Sequence, residues 1–406
     1  MDSNSEIIDQ VERKRSNPEG DQQLSSQLES LPHDPILYIL SRLPISSLVQ
    51  FKSVCRGWRM LAQDLDVVNK HSTCMDENSP CLIFHSDCTT RDQLYFVDFP
   101  ACNHEDEKVK RFHVPLEEAM PEFNVLGSSN GLLSLSDSLQ SDALYVYNPF
   151  TGNYQHLPKS AQYRNQRVVF GFGFNFKTKE YKVLKIVYYR KACTAFGFSA
   201  IRDSEVQILT LGSSAWRSLG KASYHLYQWP SQVFVNGRLH WVIWPHKDHR
   251  GTKIISFDLE DEQFREVPST TLKGYDYHLV ILGGCLSAAV YFNYCKLEIW
   301  VMTEYDVEES WVKRFNIGAY VPMGLEEEPA DQFYKNSKII EKGEFVRVLC
   351  LLKNGEILLE YESRALVSYD PKGEEFKDLI FQGIPRWYQT IVHMGSLKWI
   401  DTFTDA

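Results

Sequence analysis

The chain contains the segments SSNGLLSLS (residues 128–136) and VYNPFTGNY (residues 146–154), and altered copies of both return further along. In the first kind, one strand ends at glycine and the next begins. In the second kind, the anchor residues Asn148, Asp258, Met302 and Asp370 each precede a turn that an aromatic residue follows. The anchors fit a period of roughly 45 to 65 residues, which is typical of four-stranded propeller blades of the kelch kind.

From Cys81 onward, short runs of β-branched and aromatic residues alternate with Gly, Asn, Asp and Pro, which predicts an all-β propeller of six blades. Five blades are expected at about 124–158, 168–220, 232–268, 279–317 and 345–381. The sixth is split between residues 81–115 and the C-terminal TIVHMGSLKWID, which closes the ring and removes exposed strand edges. Five aromatic residues are expected to pack between blades: Tyr154, Trp216, Phe264, Trp311 and Phe376.

Ahead of this region, LPHDPILYILSRLPISSLVQFKSVCRGW (residues 31–58) has helical periodicity. Asp34 is placed to cap a helix that starts at Pro35 and ends at Pro44. Ser46 or Ser47 then caps the next segment, so that three short helices fit between residues 31 and 64. The apolar positions are Ile36, Ile39, Leu40 and Leu43 in the first helix and Leu48, Phe51, Val54, Cys55, Trp58 and Leu61 after it.

So small a unit cannot bury all of these side chains by itself, because its surface is too large for its volume. Part of the apolar surface therefore needs a partner, which is either the rest of this chain or another helical protein.

The residues of this unit resemble an F-box, with hardly a departure over about 45 positions. The resemblance implies that the unit docks on a Skp-type adaptor, which connects it to the cullin and RING subunits of a ubiquitin ligase. The residues that the resemblance assigns to adaptor binding are Leu31, Pro32, Ile36, Leu40, Leu43, Pro44, Leu48, Phe51, Val54, Cys55 and Trp58.

Most of residues 80 to 400 resemble the F-box-associated domain of plant F-box proteins, through SSNGLL, YNPFTGNYQHLP and FDLEDEQFREVP. The chain departs from that pattern at the acidic connection GLEEEPADQFYKNSKIIEKGE, which is either decoration or a contact surface. The expected organisation is a disordered tail at 1–27, an F-box at 28–73 and the β domain at 80–401.

The composition argues against several function classes. The chain has 406 residues, of which 43% are hydrophobic. Its net charge of −10 disfavours binding to nucleic acid or to an anionic membrane surface. No apolar run approaches the roughly 20 residues of a membrane-spanning helix, and the polar N-terminal tail is not a secretory signal. Nine scattered cysteines without a CxxC pair predict neither disulfides nor structural zinc. A location in the cytoplasm, the nucleus or both is expected.

Three motifs are weighed for chemistry, and none is expected to be catalytic or to bind a metal or cofactor. GSSNG would present Ser129 as a hydrolase nucleophile only if a helix followed, and here a strand follows. GFGFN at Gly171 lacks the third glycine of a dinucleotide loop and is expected to be a tightly packed strand. His240, His246 and His249 have no further ligands that would complete a metal site.

Aromatic residues in two expected loops are candidates for substrate binding, because aromatic residues and arginine are common at binding hot spots. They are Tyr189, Arg190, Tyr224, Tyr227 and Trp229. The alternative is that they pack beneath their own loops. The sequence thus predicts a non-enzymatic F-box subunit that captures a protein substrate. The alternatives are a small-molecule receptor or propeller enzyme with an F-box, and a scaffold that binds the adaptor outside a ligase.

Overall fold

The structure is a computed structural model that describes residues 33–51, 54, 56–62, 64, 66–67, 70–71, 81–86, 92–97, 109–112, 114–115, 120–138, 144–163, 166–190, 202–226, 233–243, 252–269, 272, 275–292, 296–323, 325 and 346–397. The chain divides into two compact units. One is helical and includes the described residues between 33 and 71 together with 395–397, and the other is a β-propeller formed by the described residues between 81 and 394.

The helical unit has the three predicted helices: α1 (His33–Leu40), α2 (Ile45–Phe51) and α3 (Arg56–Ala62). Helix α1 starts earlier than expected, so that Asp34 lies in its first turn instead of at the cap. A carboxylate there still interacts favourably with the positive end of the helix dipole. The rings of Phe51 and Trp58 stack at 4.9 Å and join α2 to α3. None of the helices within the described ranges is long and apolar enough to span a bilayer.

The propeller consists of six four-stranded antiparallel sheets, as predicted. The strand at one edge of each sheet lies beside the corresponding strand of the neighbouring blade, and these inner strands surround the centre of the ring; in blade 1 the inner strand comes from the C-terminal part of the domain. The strands are as follows: blade 1, β1 (Cys81–Ser86), β2 (Leu94–Val97), β3 (Lys110–Phe112) and β24 (Tyr388–His393); blade 2, β4 (Phe123–Ser129), β5 (Leu132–Asp137), β6 (Leu144–Tyr147) and β7 (Tyr154–His156); blade 3, β8 (Arg167–Asn175), β9 (Glu180–Arg190), β10 (Arg202–Thr210) and β11 (Arg217–Gly220); blade 4, β12 (Val233–Val235), β13 (Arg238–Ile243), β14 (Lys253–Asp258) and β15 (Phe264–Val267); blade 5, β16 (Asp276–Leu282), β17 (Cys285–Phe292), β18 (Lys296–Met302) and β19 (Trp311–Ile317); blade 6, β20 (Val346–Leu351), β21 (Ile357–Tyr361), β22 (Ala365–Asp370) and β23 (Glu375–Leu379).

Blade 1 closes the ring in the predicted way. Strand β24, from the C-terminal end, pairs with β1 over six residues, from Cys81 opposite His393 to Ser86 opposite Tyr388. Six apolar clusters then fill the spaces between successive blades, and each cluster combines side chains from two neighbouring blades. Packing between blades therefore stabilises the ring, and blade 1 needs strands from both ends of the domain.

The repeated anchor residues shape the turns between the third and fourth strands of their blades. The buried Asn148 accepts hydrogen bonds through Oδ1 from the N–H groups of Phe150 (2.9 Å) and Thr151 (3.3 Å). Asp258 and Asp370 each accept one from the residue two positions later. At Met302 the side-chain sulfur is the acceptor, since Sδ accepts a hydrogen bond from the N–H of Asp306 at 3.2 Å. The period in the sequence thus reflects one recurring turn.

Four of the five aromatic residues predicted to pack between blades do so. Trp216 donates its indole N–H to the carbonyl of Pro158 in the preceding linker, and Trp311 donates in the same way to Pro268. Phe264 and Phe376 lie against the clusters between blades 3 and 4 and between blades 5 and 6. The prediction is wrong for Tyr154, which lies on the three-residue outer strand β7 and is 43% exposed.

Candidate functional site

The helical unit leaves four large apolar side chains exposed, Tyr38, Ile39, Val54 and Met60, and we call this set the apolar face. Each of these side chains is more than half exposed. Exposed apolar residues that occur singly are ordinary, but four in so small a unit indicate a surface that a partner covers. This is the candidate protein-binding face.

The face follows from the phase of helix α1. Leu37, Leu40 and Ser41 are buried, at the i, i+3 and i+4 positions of one stripe. Tyr38 and Ile39 consequently point away from the core. The guanidinium of Arg42, one turn after Tyr38, lies 4.2 Å from the centre of the Tyr38 ring. This cation–π contact places a positive charge at the edge of the apolar face.

The structure divides the residues that were predicted to bind a partner. Pro44 and Val54 are exposed, and Ile36, Leu43, Phe51 and Trp58 are half-buried. Leu40 and Leu48 are 2% and 0% exposed and belong to the buried apolar residues of the unit with Leu37, Ile45 and Val67, so that their part in adaptor binding stays a prediction. Leu31, Pro32 and Cys55 lie outside the described residues.

Sequence reasoning did not assign Tyr38 or Met60 to the face. The signal was available, because Tyr38 and Arg42 lie at i and i+4 on the side of α1 opposite Leu37 and Leu40. An apolar stripe in a helix of eight residues can be drawn in more than one phase. Which side of α1 is buried is decided only by packing in the folded unit.

In the propeller, the two loops chosen as substrate candidates leave the same end of blade 3. Because antiparallel strands alternate in direction, the connection from β9 to β10 and the connection from β11 to β12 both emerge there. A hydrogen-bonded bridge confirms the proximity. The hydroxyl of Tyr188 donates to the carbonyl of Tyr224 (2.8 Å) and accepts the N–H of Leu226 (2.9 Å).

The candidate substrate residues differ in their surroundings. The half-buried Tyr189 stacks on Tyr163 at 4.0 Å, and together they form a small aromatic platform. Tyr224 instead packs against the cluster between blades 3 and 4 and meets Phe264 edge-on, which is the alternative of packing beneath its own loop. The side chains of Arg190, Tyr227 and Trp229 lie outside the described residues.

Four histidines are buried in the described part of the propeller, His85, His240, His278 and His393, and the last three are held neutral. Burial lowers the pKa of His278 to about 3, that of His393 to about 3 and that of His240 to about 4. His278 Nε2 accepts the N–H of Val348 at 3.1 Å, so Nδ1 carries the proton and donates to the Tyr291 hydroxyl at 2.7 Å. These imidazoles therefore join neighbouring blades and are closed to solvent.

The residues considered for catalysis or for cofactor and metal binding lie in a hairpin, in a tightly packed strand and in a hydrogen-bonded interior. Ser129 ends β4, and after a two-residue turn β5 begins, so that the serine stands on a hairpin without the helix of a nucleophile elbow. Gly173 is a tight packing point, because a Cβ there would lie 2.8 Å from the side chains of Phe234 and Leu259. His240 faces the Val233 carbonyl and the Tyr305 hydroxyl. Within the described ranges, no three His, Cys, Asp or Glu side chains gather as metal ligands would.

Comparison with known proteins agrees with this division of the chain. Residues 28–70 match the model of the F-box domain, and residues 81–405 match that of the F-box associated beta propeller domain. The F-box protein At3g07870 of Arabidopsis thaliana is 49% identical over 404 residues, which cover 93% of this chain and 94% of that protein. The F-box protein CPR1 of the same plant is 25% identical over 91% of this chain and 89% of its own length.

Among solved structures, TolB from Acinetobacter baumannii matches 82% of this chain and 70% of its own at 7% identity, with a TM-score of 0.42.

Proposed function

Since the chain belongs to the plant F-box proteins that carry an F-box-associated β-propeller domain, we propose that it is the substrate-recognition subunit of an SCF-type (Skp–cullin–F-box) ubiquitin ligase. In this proposal the helical unit binds the Skp-type adaptor, and the adaptor connects it to cullin and a RING subunit. The propeller binds a protein substrate. The complex works in the cytoplasm, the nucleus or both.

The observation that carries the proposal is the apolar face of the helical unit. Tyr38, Ile39, Val54 and Met60 are exposed on a unit whose sequence matches the F-box domain. A helical adaptor would bury these side chains, and the Arg42 guanidinium at their edge would favour an acidic group on the adaptor.

The proposed contribution to catalysis is proximity, and the subunit is itself non-catalytic. A subunit that holds a substrate lysine beside a charged ubiquitin-conjugating enzyme converts an encounter between two molecules into a step within one complex. The work of the propeller is then to bind tightly and to stay rigid. Packing between six blades suits this task, because binding loops on a rigid scaffold lose little freedom when a partner binds.

The experiment measures binding of the full-length chain to a purified Skp-type adaptor. Ile39→Asp places a charge in the apolar face and is expected to weaken binding at least tenfold, since an unpaired carboxylate would become buried at the contact. The matched control is Ile380→Asp, which makes the same change at an isoleucine of the propeller that is 74% exposed. This control is expected to bind like the wild type.

Cullin in the same assay separates the ligase from the scaffold. Adaptor and cullin recovered together with the wild type, and lost together with Ile39→Asp, would support the ligase subunit. Adaptor without cullin would favour a scaffold outside any ligase. Failure of the wild type to bind the adaptor would overturn the proposal.

A further inference from the structure

The helical unit contains a short segment from the far end of the chain. Strand β24 ends at His393, and the residues that follow, 395–397, belong to the same compact unit as helices α1 to α3. Gly395, Ser396 and Leu397 are all buried. The unit recognised in the sequence as an F-box therefore includes residues that its own segment does not supply.

The contact between this segment and helix α2 is made at a glycine. A Cβ on Gly395 would lie 2.7 Å from Cγ2 of Ile45 and 3.0 Å from its Cβ and Cγ1. A real Cβ atom essentially never lies within 3.0 Å of such a neighbour, so an alanine at position 395 would have to displace Ile45. The backbone of Gly395 is not left-handed, and the requirement for glycine is therefore one of space.

Ile45 cannot move aside easily. It is the first residue of α2, it is 1% exposed, and its branch point sits directly on the helix backbone. Three residues later on the same face, Leu48 is fully buried. A displacement of Ile45 would thus be transmitted to the helix as a whole, because the interior is close-packed.

The start of α2 is also fixed from a second direction. His71, which is 1% exposed, contacts the carbonyl of Leu43 through Nε2 at 3.0 Å, just before the helix begins. The link between α1 and α2 is therefore held on one side by His71 and on another by Gly395. The apolar face takes Tyr38 and Ile39 from α1, and it takes Val54 and Met60 from beyond α2. Its shape depends on where α2 lies.

We propose that Gly395 is a positioning residue for adaptor binding: the segment 395–397 holds α2 through Ile45 in the position that completes the apolar face. This inference rests on the proposed function, since it takes adaptor binding as its readout. The adaptor-binding unit then consists of the F-box stretch together with the segment 395–397. The F-box stretch without this segment would bind the adaptor more weakly.

The test uses the full-length chain and a purified Skp-type adaptor, with affinity measured by calorimetry. Gly395→Ala is expected to weaken binding at least tenfold, although Gly395 need not touch the adaptor. The matched control is Gly318→Ala, because a Cβ at Gly318 meets no heavy atom within 4 Å and its backbone is not left-handed either. The control is expected to bind with unchanged affinity.

Rescue distinguishes positioning from general damage. Ile45→Ala removes Cγ1 and Cγ2 and leaves only Cβ, at 3.0 Å from the added carbon, so Gly395→Ala should cost much less affinity in that background. Ile45→Val keeps Cγ1 and Cγ2, and there the full loss from Gly395→Ala should remain. Equal losses in both backgrounds would overturn the proposal.

A second variant removes the segment without a clash. Deletion of residues 395–406 leaves β24 intact, and it is expected to weaken adaptor binding to a similar degree while the propeller keeps its wild-type melting transition. Wild-type binding by both Gly395→Ala and this deletion would overturn the inference and leave the ligase proposal standing. If the wild type itself failed to bind the adaptor, the proposed function would fall first.

Discussion

Of the eleven large apolar side chains that are exposed in the described part of the chain, four lie in the helical unit, although the propeller is far larger. The propeller buries apolar residues in six clusters between blades, and four buried histidines of its described part also lie between blades. The helical unit has a smaller core, to which a segment from the C-terminal end contributes. The propeller thus covers most of its large apolar side chains by itself, whereas the helical unit leaves four of them exposed within its described residues.

The closed ring makes the propeller sensitive to loss of one strand. Truncation after Trp387 removes β24, which supplies Tyr388 and His393 to the interior and pairs with β1 along its whole length. We expect the cooperative unfolding transition of the propeller to disappear, a loss comparable with the whole stability of a domain, ~5–15 kcal/mol. Thermal unfolding followed by near-ultraviolet circular dichroism measures it. A chain ending at Leu397 is the control, and an unchanged transition after the larger truncation would mean that the ring does not need this strand.

Acid should destabilise the propeller next, because its buried histidines link protonation to unfolding. Their pKa values are about 3 to 4 in the folded propeller and about 6.5 in the unfolded chain. The unfolded state therefore binds more protons as the pH falls below 6.5. The stability that the neutral histidines contribute is complete above pH 6.5 and is lost as the pH falls toward 3, by up to ~1.4 kcal/mol per pH unit for each histidine.

His278→Gln isolates one of these contributions. The glutamine oxygen can still accept the N–H of Val348, but it does not titrate, and the positive charge of the nearby Arg347 remains. Denaturant unfolding of the propeller between pH 7 and 5 should show a slope that is smaller by up to ~1.4 kcal/mol per pH unit in the variant. The same slope in both proteins would show that His278 is accessible to protons in the folded state.

What the sequence could predict depends on how local the cause is. The anchors Asn148, Asp258 and Asp370 were readable because each shapes its own turn through a hydrogen bond to a residue two positions away. The split blade could be predicted because residues 81–115 supply only three strands, and a fourth had to come from the C-terminal part of the chain. By contrast, the burial of Leu40 and Leu48 required the phase of short helices, which only packing decides.

The contact between Gly395 and Ile45 gave no sequence signal at all. It joins opposite ends of the chain, and a lone glycine near a C-terminus is consistent with any loop. The exposed positions Tyr38 and Met60 were missed for a related reason. Apolar residues in a predicted helix are assigned by default to its core, and only the folded unit shows which of them are left outside.

The smallest expected effect tests whether the propeller depends more on packing than on its turns. Asn148→Ala removes an acceptor shared by two N–H groups in a buried turn, and we expect a loss of ~1–2 kcal/mol. Met302→Leu keeps the volume of a buried side chain and removes a sulfur, which is a weak acceptor, so that the loss should stay below ~1 kcal/mol.

Denaturant unfolding of both variants measures the difference, with adaptor affinity as the control that neither should change. If Met302→Leu cost as much as Asn148→Ala, the sulfur contact would be essential to its turn, and the recurring turn would be set by the acceptor at the anchor position. The smaller cost expected for Met302 means instead that blade 5 is held by its neighbours. The cluster around Met302 combines side chains from blades 4 and 5, so that packing between blades can tolerate a weak anchor. In the described part of the helical unit, Gly395 meets Ile45 without room for a further carbon, and we expect this contact to be correspondingly less tolerant of substitution.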